Sequence, residues 1–235
     1  DLLRQGYRDV RSVDIKPFDE WYQRFPEAEN LQLDLSEKDA CYRALDGAAV
    51  VYNLAADMGG MGFIENNKAA CMLSVLINTH LLQASAAADV ERFFFGSSAC
   101  VYAAEHQTSP DVTPLREGDA YPAMPEDGYG WEKLFSERMC HHFTEDFGLE
   151  TRVARYHNVY GPDGTFDGGR EKAPAAICRK VAEAELSGRQ GGFLACRTLT
   201  CPRRQLLGHL RGGHADTLPA VGLIGQHCGH PVVGP

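Results

Sequence analysis

Strand-like and helix-like patterns of apolar positions alternate over the first three quarters of the chain. Short segments rich in Val, Ile, Leu, Phe and Tyr, with period-two alternation or continuous apolar runs, are typical of β-strands. These segments are Val10–Ile15, Asn30–Leu35, Ala48–Ala56, Arg92–Ser98 and Glu150–Tyr156. Their continuous apolar character at Ala48–Ala56 predicts a strand that is covered on both faces.

Two longer segments, Asn66–Ala87 and Tyr129–Phe147, have the length and apolar spacing of helices. In the first of them, five apolar residues are predicted to share one side: Leu73, Leu76, Ile77, Leu81 and Leu82. Strands separated by helices indicate βαβ units, so the sequence predicts an α/β fold with a doubly wound parallel sheet.

The order of these segments resembles a Rossmann-like sheet that is entered after its opening strand. Such a sheet begins with a strand, a Gly-rich turn and a helix, followed by a second strand that ends in an acid. Asp1–Tyr7 is interpreted as the end of that first helix, with Gly6 as its C-terminal stop. Asp14 would be the acid that binds the adenosine ribose, although a turn residue is an equally good interpretation. We therefore expect the first strand and the Gly-rich loop to be missing.

The C-terminal part of the chain differs in composition from the rest. The chain has a net charge of −9, yet residues 187–235 contain five Arg, no Lys, no Glu and one Asp, together with ten Gly. We expect residues 1–186 to form the main domain and residues 187–235 to form an atypical Gly/Arg-rich tail. The C-terminal substrate domain is therefore expected to be truncated or aberrant. A frameshifted end is the leading hypothesis for this tail.

Composition limits the location and the partners of the protein. The acidic net charge argues against a nucleic-acid partner. Because the N-terminal stretch has no basic start followed by an apolar core, no signal peptide is predicted. The apolar runs are interrupted, so no membrane span is expected. The eight irregularly spaced cysteines are expected to be mostly free thiols, and a cytoplasmic location is the default.

The strongest local chemical signal is the Tyr-x-x-x-Lys formed by Tyr129 and Lys133. On a helix these two positions share a face, where the ammonium can lower the pKa of the phenol toward neutrality. The motif alone is common by chance. Ser98, at the end of a buried strand, strengthens it because its hydroxyl can hold the reacting oxygen for the tyrosine.

With that triad, the chain resembles the NAD-dependent nucleotide-sugar epimerases of the extended short-chain dehydrogenase family. Within that family it is most similar to the GDP-mannose 3,5-epimerases. The resemblance runs from about residue 1 to residue 182 and includes four specific blocks, namely Asn53–Ile64, Ser97–Tyr102, Arg155–Pro162 and Gly168–Pro174.

The resemblance implies inversion of GDP-mannose at C3 and C5, giving GDP-L-galactose, through a 4-keto intermediate. Tyr129, with NAD, would oxidise the sugar at C4. Cys100 and Lys172 would then be the acid–base pair on the two faces of the ring, since both groups can titrate near neutral pH. Read alone, Cys100 is more often a small buried apolar residue and Lys172 a solvated one.

The resemblance also implies contacts with the two ligands and an oligomeric state. The predicted cofactor-binding residues are Asp14, Asp34, Leu35, Leu54, Ala55, Ala56, Asn78, Tyr129 and Lys133. The predicted substrate-binding residues are Gly59, Gly60, Met61, Ser98, Cys100, Asn158 and Lys172. The ligands would be NAD and a GDP-sugar, and the intact protein is expected to be a homodimer. Four other cysteines, Cys41, Cys71, Cys140 and Cys178, are predicted to be packing residues.

Other hypotheses remain open. The protein could be a nucleotide-sugar 4-epimerase or 4,6-dehydratase, against which Cys100 and Lys172 argue. It could also be a non-catalytic truncated protein. Cys196, Cys201, His209 and His214 only loosely match a zinc site, so no metal is predicted. Because the Gly-rich loop is missing, we expect residues 1–235 alone to bind little NAD and to show no turnover.

Overall fold

A computed structural model describes residues 1–107, 114–159, 164–186 and 220–223 of the chain. The strands are β1 (Val10–Asp14), β2 (Glu29–Gln32), β3 (Val50–Asn53), β4 (Arg92–Ser98), β5 (Glu150–Tyr156) and β6 (Ala220–Leu223). The helices are α1 (Lys38–Ala44), α2 (Met61–Asn66), α3 (Lys68–Ala87), α4 (Tyr129–Phe147) and α5 (Ala173–Leu186). Short 3₁₀ turns join several of these elements.

The described strands form one parallel sheet in the order β2-β1-β6-β3-β4-β5. Apart from the strand that fills the centre, this is the 3-2-1-4-5-6 order of a Rossmann sheet. The predicted α/β class and the doubly wound parallel sheet are therefore confirmed. In such sheets ligands bind at the carboxyl ends of the strands, which here end at Asp14, Asn53 and Ser98.

The central position of the sheet is occupied by β6, which comes from the C-terminal tail. Ala220 lies opposite both Val10 of β1 and Val50 of β3, and the ladder continues in parallel on both sides. Among the described N-terminal residues the opening strand is absent, as predicted, and β6, a later segment, occupies its place and pairs with both β1 and β3. The remainder of the predicted tail, residues 187–219 and 224–235, lies outside the described residues, as do the weak zinc candidates.

The core lies where the strands pack against α1, α3 and α4. Its largest fully buried apolar side chains are Val13, Leu45, Val51, Leu81, Leu82, Phe93 and Phe95. Burial of each such side chain stabilises the fold by roughly 1.5–3 kcal/mol. The continuous apolar strand patterns in the sequence arise from this two-sided burial.

Helix α3 differs from its prediction in two ways. It begins at Lys68, because Asn67 leaves helical geometry and separates it from α2. Its core-facing side contains Ile77, Leu81 and Leu82, whereas Leu73 and Leu76 are 61% and 40% exposed. The last two therefore lie on the opposite, outer side, since successive turns of the helix carry apolar residues on both faces.

The same helix bears on the prediction that no segment could span a membrane. Among the described residues, Lys68–Ala87 is long and apolar enough to cross one by length and composition, and 44% of its window is buried inside the fold. By length and composition, the prediction that no described segment could span a membrane is therefore wrong. A core helix of a soluble protein passes the same test, so the finding is weak evidence for a membrane.

The described cysteines are all free thiols. Cys41, Cys71 and Cys140 are buried, as predicted for packing residues, and Cys100 is half-buried. Cys178 is exposed, so its assignment as a packing residue is wrong. It lies on α5.

We predict that Val221→Pro destabilises the protein by at least about 2 kcal/mol, because proline removes a ladder donor from a strand paired on both sides. Urea unfolding, followed by circular dichroism, measures the change. Val221→Thr is the matched control, since it keeps the backbone N–H and the β-branched shape. Equal stabilities of the two variants would show that β6 does not hold the centre of the sheet.

Candidate active site

Ser98 and Tyr129 meet at the carboxyl end of the sheet. Ser98 is the last residue of β4, and its hydroxyl accepts a hydrogen bond from the backbone N–H of Cys100 at 3.2 Å. Tyr129 is the first residue of α4 and is 5% exposed. The Ser98 hydroxyl is close enough to the Tyr129 phenol to lower its pKa, against the larger effect of burial. The predicted pair is therefore assembled as the sequence indicated.

A close backbone contact sets this geometry. The carbonyl oxygen of Cys100 accepts a hydrogen bond from the N–H of Glu126 at 3.0 Å. A Cβ atom at Gly130 would overlap the same carbonyl group, so only glycine allows α4 to begin this close to β4. Gly128, with a φ of 66°, makes the turn into the helix. This contact places the Tyr129 phenol beside Ser98 and Cys100.

Lys133 follows Tyr129 by one turn and is buried with Glu132. Its Nζ atom lies 5.5 Å from the centroid of the Tyr129 ring, 4.7 Å from that of Phe95 and 3.7 Å from Oε2 of Glu132. The Glu132 side chain also accepts a hydrogen bond from Ser136 at 3.0 Å. Burial raises the pKa of Glu132, opposed by Lys133 and Ser136.

The expectation that Lys133 lowers the pKa of Tyr129 is wrong for this structure. Burial raises the pKa of the phenol, and Glu132 and Cys100 raise it further, against the hydrogen bond from Ser98. The main physical reason is that burial disfavours the charged phenolate, and the nearby carboxylate of Glu132 adds to this effect.

Cys100 and Lys172 converge on the same place from distant parts of the chain. Cys100 lies in the 3₁₀ turn after β4, and Lys172 directly precedes α5. Burial raises the pKa of the Cys100 thiol to about 11, while Ser98 and Lys172 act in the opposite direction. Burial lowers the pKa of Lys172, opposed by Cys100. Each group therefore shifts the pKa of the other.

The loop after β3 is held against the segment that precedes α5. Lys172 donates a hydrogen bond from Nζ to the carbonyl oxygen of Gly59 at 2.9 Å, and the N–H of Gly60 donates to the carbonyl of Arg170 at 3.1 Å. A Cβ at Gly60 would lie 2.5 Å from the backbone oxygen of Glu171. The predicted glycines thus permit a close approach, here between two segments of the chain.

Arg170 fixes this loop and was not predicted as a site residue. Its Nη1 atom donates to Oδ1 of Asp57 at 2.7 Å and to the carbonyl of Met58 at 3.1 Å. Its guanidinium lies 3.7 Å from the centroid of the Phe63 ring. All four residues lie within the sequence blocks that carried the resemblance, but no spacing rule joins positions more than a hundred residues apart.

The predicted adenosine-binding residues occupy the ends of β1 and β2. Asp14 is 5% exposed, and its Oδ1 accepts the N–H of Lys16 at 3.0 Å. Oδ1 of Asp34 accepts the N–H of Ser36 at 2.9 Å. Both contacts are those of turn residues, so each carboxylate combines a local structural role with its place at the ligand edge. Leu35 packs in the core, so any contact with a cofactor would come from its backbone.

A buried, hydrogen-bonded pair of asparagines holds the loop Leu54–Ala56 in place. Asn53 donates from Nδ2 to Oδ1 of Asn78 at 2.7 Å and accepts the N–H of Ala55 at 3.1 Å. Among the described residues, Nδ2 of Asn78 is buried and has no hydrogen-bond partner. A polar ligand would satisfy this donor, so the described part of the site fits the predicted dinucleotide here.

Two of the predicted substrate-binding residues are exposed. Met61 begins α2 and is 50% exposed. Asn158 is exposed two residues beyond β5, at the same edge of the sheet as Ser98. Beside this edge, a cavity of about 500 Å³ opens between the loop after β1 and the segment before α5, with Lys16, Gln32 and Arg170 in its wall.

A second ionic cluster joins α4 to β4 and β5 next to the site. Glu137, two turns after Tyr129 on α4, accepts a hydrogen bond from Ser97 at 2.6 Å and an ion pair from Arg155 at 2.7 Å. The Arg155 guanidinium also lies 5.0 Å from the centroid of the Tyr102 ring. The sequence offered a signal for Glu137, because it continues the i, i+4 face of Tyr129 and Lys133.

One group of potential metal ligands occurs among the described residues. His141, His142 and Glu145 place three ligand atoms within 4.8 Å of one another, and all three residues are exposed. Glu145 already pairs with both histidines, at 3.1 and 2.7 Å. The cluster lies in the last two turns of α4, whereas Tyr129 and Lys133 lie in its first two.

Comparisons with known proteins agree on one family. Residues 1–203 match the sequence model of the NAD dependent epimerase/dehydratase family. Over 150 residues, which are 63% of the chain, it is 52% identical to GDP-mannose 3,5-epimerase 1 of Oryza sativa subsp. japonica and 48% identical to GDP-mannose 3,5-epimerase of Arabidopsis thaliana. The match covers 39% and 40% of those proteins, so the chain spans about two fifths of their length.

Solved structures show the same fold. The structure of a Thermus thermophilus UDP-glucose 4-epimerase complexed with NAD has a TM-score of 0.66 at 23% identity, covering 80% of this chain and 58% of that one. A GDP-L-fucose synthetase of Naegleria fowleri bound to NADP has a TM-score of 0.61 at 18% identity, covering 81% of this chain and 67% of the other.

We predict that Arg170→Lys loosens the loop Asp57–Phe63 by about 1–2 kcal/mol, since lysine retains the charge but loses the planar contact with Phe63 and one donor direction. Hydrogen–deuterium exchange of peptides covering the loop should become roughly five- to thirtyfold faster. Arg92→Lys, on an exposed ion pair with Glu150, is the control and should leave the loop unchanged. An unaltered loop in Arg170→Lys would contradict the assignment.

Proposed function

Because the chain belongs to the NAD-dependent epimerase/dehydratase family, we propose that the protein containing it is a GDP-mannose 3,5-epimerase that produces GDP-L-galactose. The observation that carries the proposal is the convergence of Cys100 and Lys172 beside the Ser98–Tyr129 pair. The similarity to two plant 3,5-epimerases supports it. Since the chain spans about two fifths of their length, the reaction is assigned to the protein that contains it.

The first part of the mechanism concerns the oxygen on C4. The Ser98 hydroxyl holds this oxygen, and the Tyr129 phenolate takes its proton during oxidation and returns it during reduction. NAD, when bound, supplies the reversible oxidation at C4 and a positive charge on its ring. The raised pKa of Tyr129 means that the phenol keeps its proton until positive charge comes near, so the base forms only in the complete complex.

The second part concerns the carbons on either side of C4. A ketone at C4 acidifies the C–H bonds at C3 and C5. Inversion at each carbon requires a base on one face of the ring and an acid on the other. The Cys100 thiol and the Lys172 amine are two groups of this kind, brought together by the turn after β4 and the segment before α5. They remove a proton at nitrogen and deliver one from sulfur.

NAD would be held by residues at the carboxyl ends of β1, β2 and β3. We assign Asp14 to the adenosine ribose, the Asp34–Leu35 backbone to the adenine, and Leu54–Ala56 with Asn78 to the middle of the cofactor. Tyr129 and Lys133 would border the reactive end. A cytoplasmic location, with the cofactor and a GDP-sugar as ligands, agrees with this assignment and stays a prediction.

The second candidate function is a nucleotide-sugar 4-epimerase or 4,6-dehydratase. The fold supports all three activities equally. A 4-epimerase, however, inverts only the carbon that is oxidised and needs no acid–base pair at its neighbours. The placement of Cys100 and Lys172 favours the 3,5-epimerase for that reason.

We also propose that the intact protein is a homodimer that pairs the outer faces of α3 and α4. Leu73 and Leu76 on α3, and Trp131 and Phe135 on α4, are large apolar residues that are 40–61% exposed. They follow i, i+3 and i, i+4 spacing, so each helix presents an apolar stripe to solvent. A second copy would cover both stripes by a twofold interface, which also explains the apolar outer side of α3.

The reaction is tested with the protein expressed from its complete reading frame, incubated with NAD and GDP-mannose in D₂O. We predict deuterium at C3 and C5 and retained protium at C4, read by NMR of the nucleotide sugar. Tyr129→Phe should reduce the exchange by about 10²–10⁴-fold. Cys100→Ala should lose the exchange while NADH absorbance still forms. Cys178→Ala, on an exposed cysteine, is the matched control.

Other isotope patterns would contradict the proposal. Inversion at C4 without exchange at C3 or C5 would identify a 4-epimerase. Loss of water with exchange at C5 would identify a 4,6-dehydratase. Absence of any reaction in the complete protein would reject a sugar-modifying role.

For the dimer, we predict that Leu73→Glu converts the protein to a monomer, because a charge would have to be buried in the interface. Light scattering after size-exclusion chromatography measures the mass. Glu65→Gln, on the exposed side of α2, should leave the mass unchanged. A wild-type protein that is already monomeric would contradict the proposal.

A further inference from the structure

Glu126 lies against Cys100, and no role has been assigned above to its side chain. It precedes α4 by three residues, and its N–H donates to the carbonyl oxygen of Cys100 at 3.0 Å. Its carboxylate is near enough to the Cys100 thiol to interact with it. The two backbones are thus hydrogen-bonded, and the carboxylate is close enough to influence the protonation of the thiol.

One oxygen of this carboxylate lacks a donor. Oε2 of Glu126 is buried and has no hydrogen-bond partner among the described residues. A buried carboxylate oxygen without a donor is destabilising, so such atoms are normally satisfied in the working protein. The S–H group of Cys100 is a donor of the right kind at this place. The neighbouring Asp127, by contrast, is 70% exposed and pairs with Lys68 at 2.7 Å.

The charges around Cys100 decide where one proton resides. Glu126 precedes α4 and favours the neutral thiol, while Lys172 precedes α5 and favours the thiolate. Tyr129, the first residue of α4, and Cys71, on α3, also face this position and lie in the same cluster. Without Glu126, burial would still favour the thiol, but the balance would move toward a thiolate–ammonium pair.

We propose that Glu126 is a positioning residue for the Cys100–Lys172 pair, and that its carboxylate holds the pair's proton on the sulfur. The pair then enters each inversion with a thiol on one face of the sugar ring and an amine on the other. The C–H bond breaks and its proton passes to Nζ of Lys172. The S–H bond of Cys100 breaks and its proton passes to the opposite face of the same carbon. The pair is then a thiolate and an ammonium, and a proton returns from the Lys172 nitrogen to the Cys100 sulfur before the second inversion. This sequence rests on the proposed epimerase function.

The test measures the reactivity of Cys100 in the protein expressed from its complete reading frame, without any substrate. Iodoacetamide alkylation is followed against pH, with mass spectrometry of the peptide that contains Cys100. In Glu126→Gln the midpoint of the pH–rate profile should fall by about one pH unit, since a negative neighbour is removed. At a pH below both midpoints the rate should rise about threefold, because the gain in thiolate is partly offset by lower nucleophilicity.

Matched variants separate this role from a structural one. Asp127→Asn makes the same charge change one residue away and should leave the profile unchanged. Glu126→Asp keeps a carboxylate and should restore a profile close to that of the wild type. Lys172→Gln should move the midpoint upward. The backbone hydrogen bond between residues 126 and 100 persists in all of these variants.

An unchanged profile in Glu126→Gln would overturn the proposal, as would an equal shift in Asp127→Asn or a downward shift in Lys172→Gln. Since alkylation needs no substrate, its outcome is independent of the isotope experiment. A shifted profile in a protein that does not exchange C3 and C5 would uphold the link between Glu126 and Cys100 while rejecting the epimerase function.

Discussion

The contact between the start of α4 and the turn that follows β4 is the constraint on which the site depends. The carbonyl of Cys100 is held by the N–H of Glu126 and lies where Gly130 lacks a side chain. Because the contact is made by backbone atoms, it fixes the distance between helix and strand without depending on rotamers. Tyr129, Ser98 and the thiol are brought together by this single approach.

Around that contact the site uses buried charges that oppose one another. Lys133 lies beside Glu132, and the thiol lies between a carboxylate and Lys172. In a region with little water, each charge strongly affects the protonation of its neighbours. The raised pKa of Tyr129 follows from the same arrangement. Burial is therefore the largest cause of the pKa shift of each proton-carrying group, and the neighbouring charges modify that shift.

Much of the fold was predictable because parallel strands leave a continuous apolar signal. The bounds of β4, β5 and α4 agree with their predicted ranges, since these elements lie in the part of the chain with the clearest periodicity. The core-facing side of α3 was harder to predict, because the helix is apolar on two sides and only the fold decides which side faces the core. The central position of β6 was beyond any local pattern, as strand pairing between distant segments has no signature in either segment.

The sequence by itself determined the fold class, because periodicity is a local property, and the family, because several sequence blocks resemble it. It also predicted the motif residues Ser98, Tyr129 and Lys133. Tertiary structure alone decided which charged groups surround them. Glu126 and Arg170 act through contacts with residues far away in the chain, and the sign of the pKa shift at Tyr129 depends on burial and on those neighbours. Proximity and desolvation are properties of the folded chain, and no spacing in the sequence encodes them.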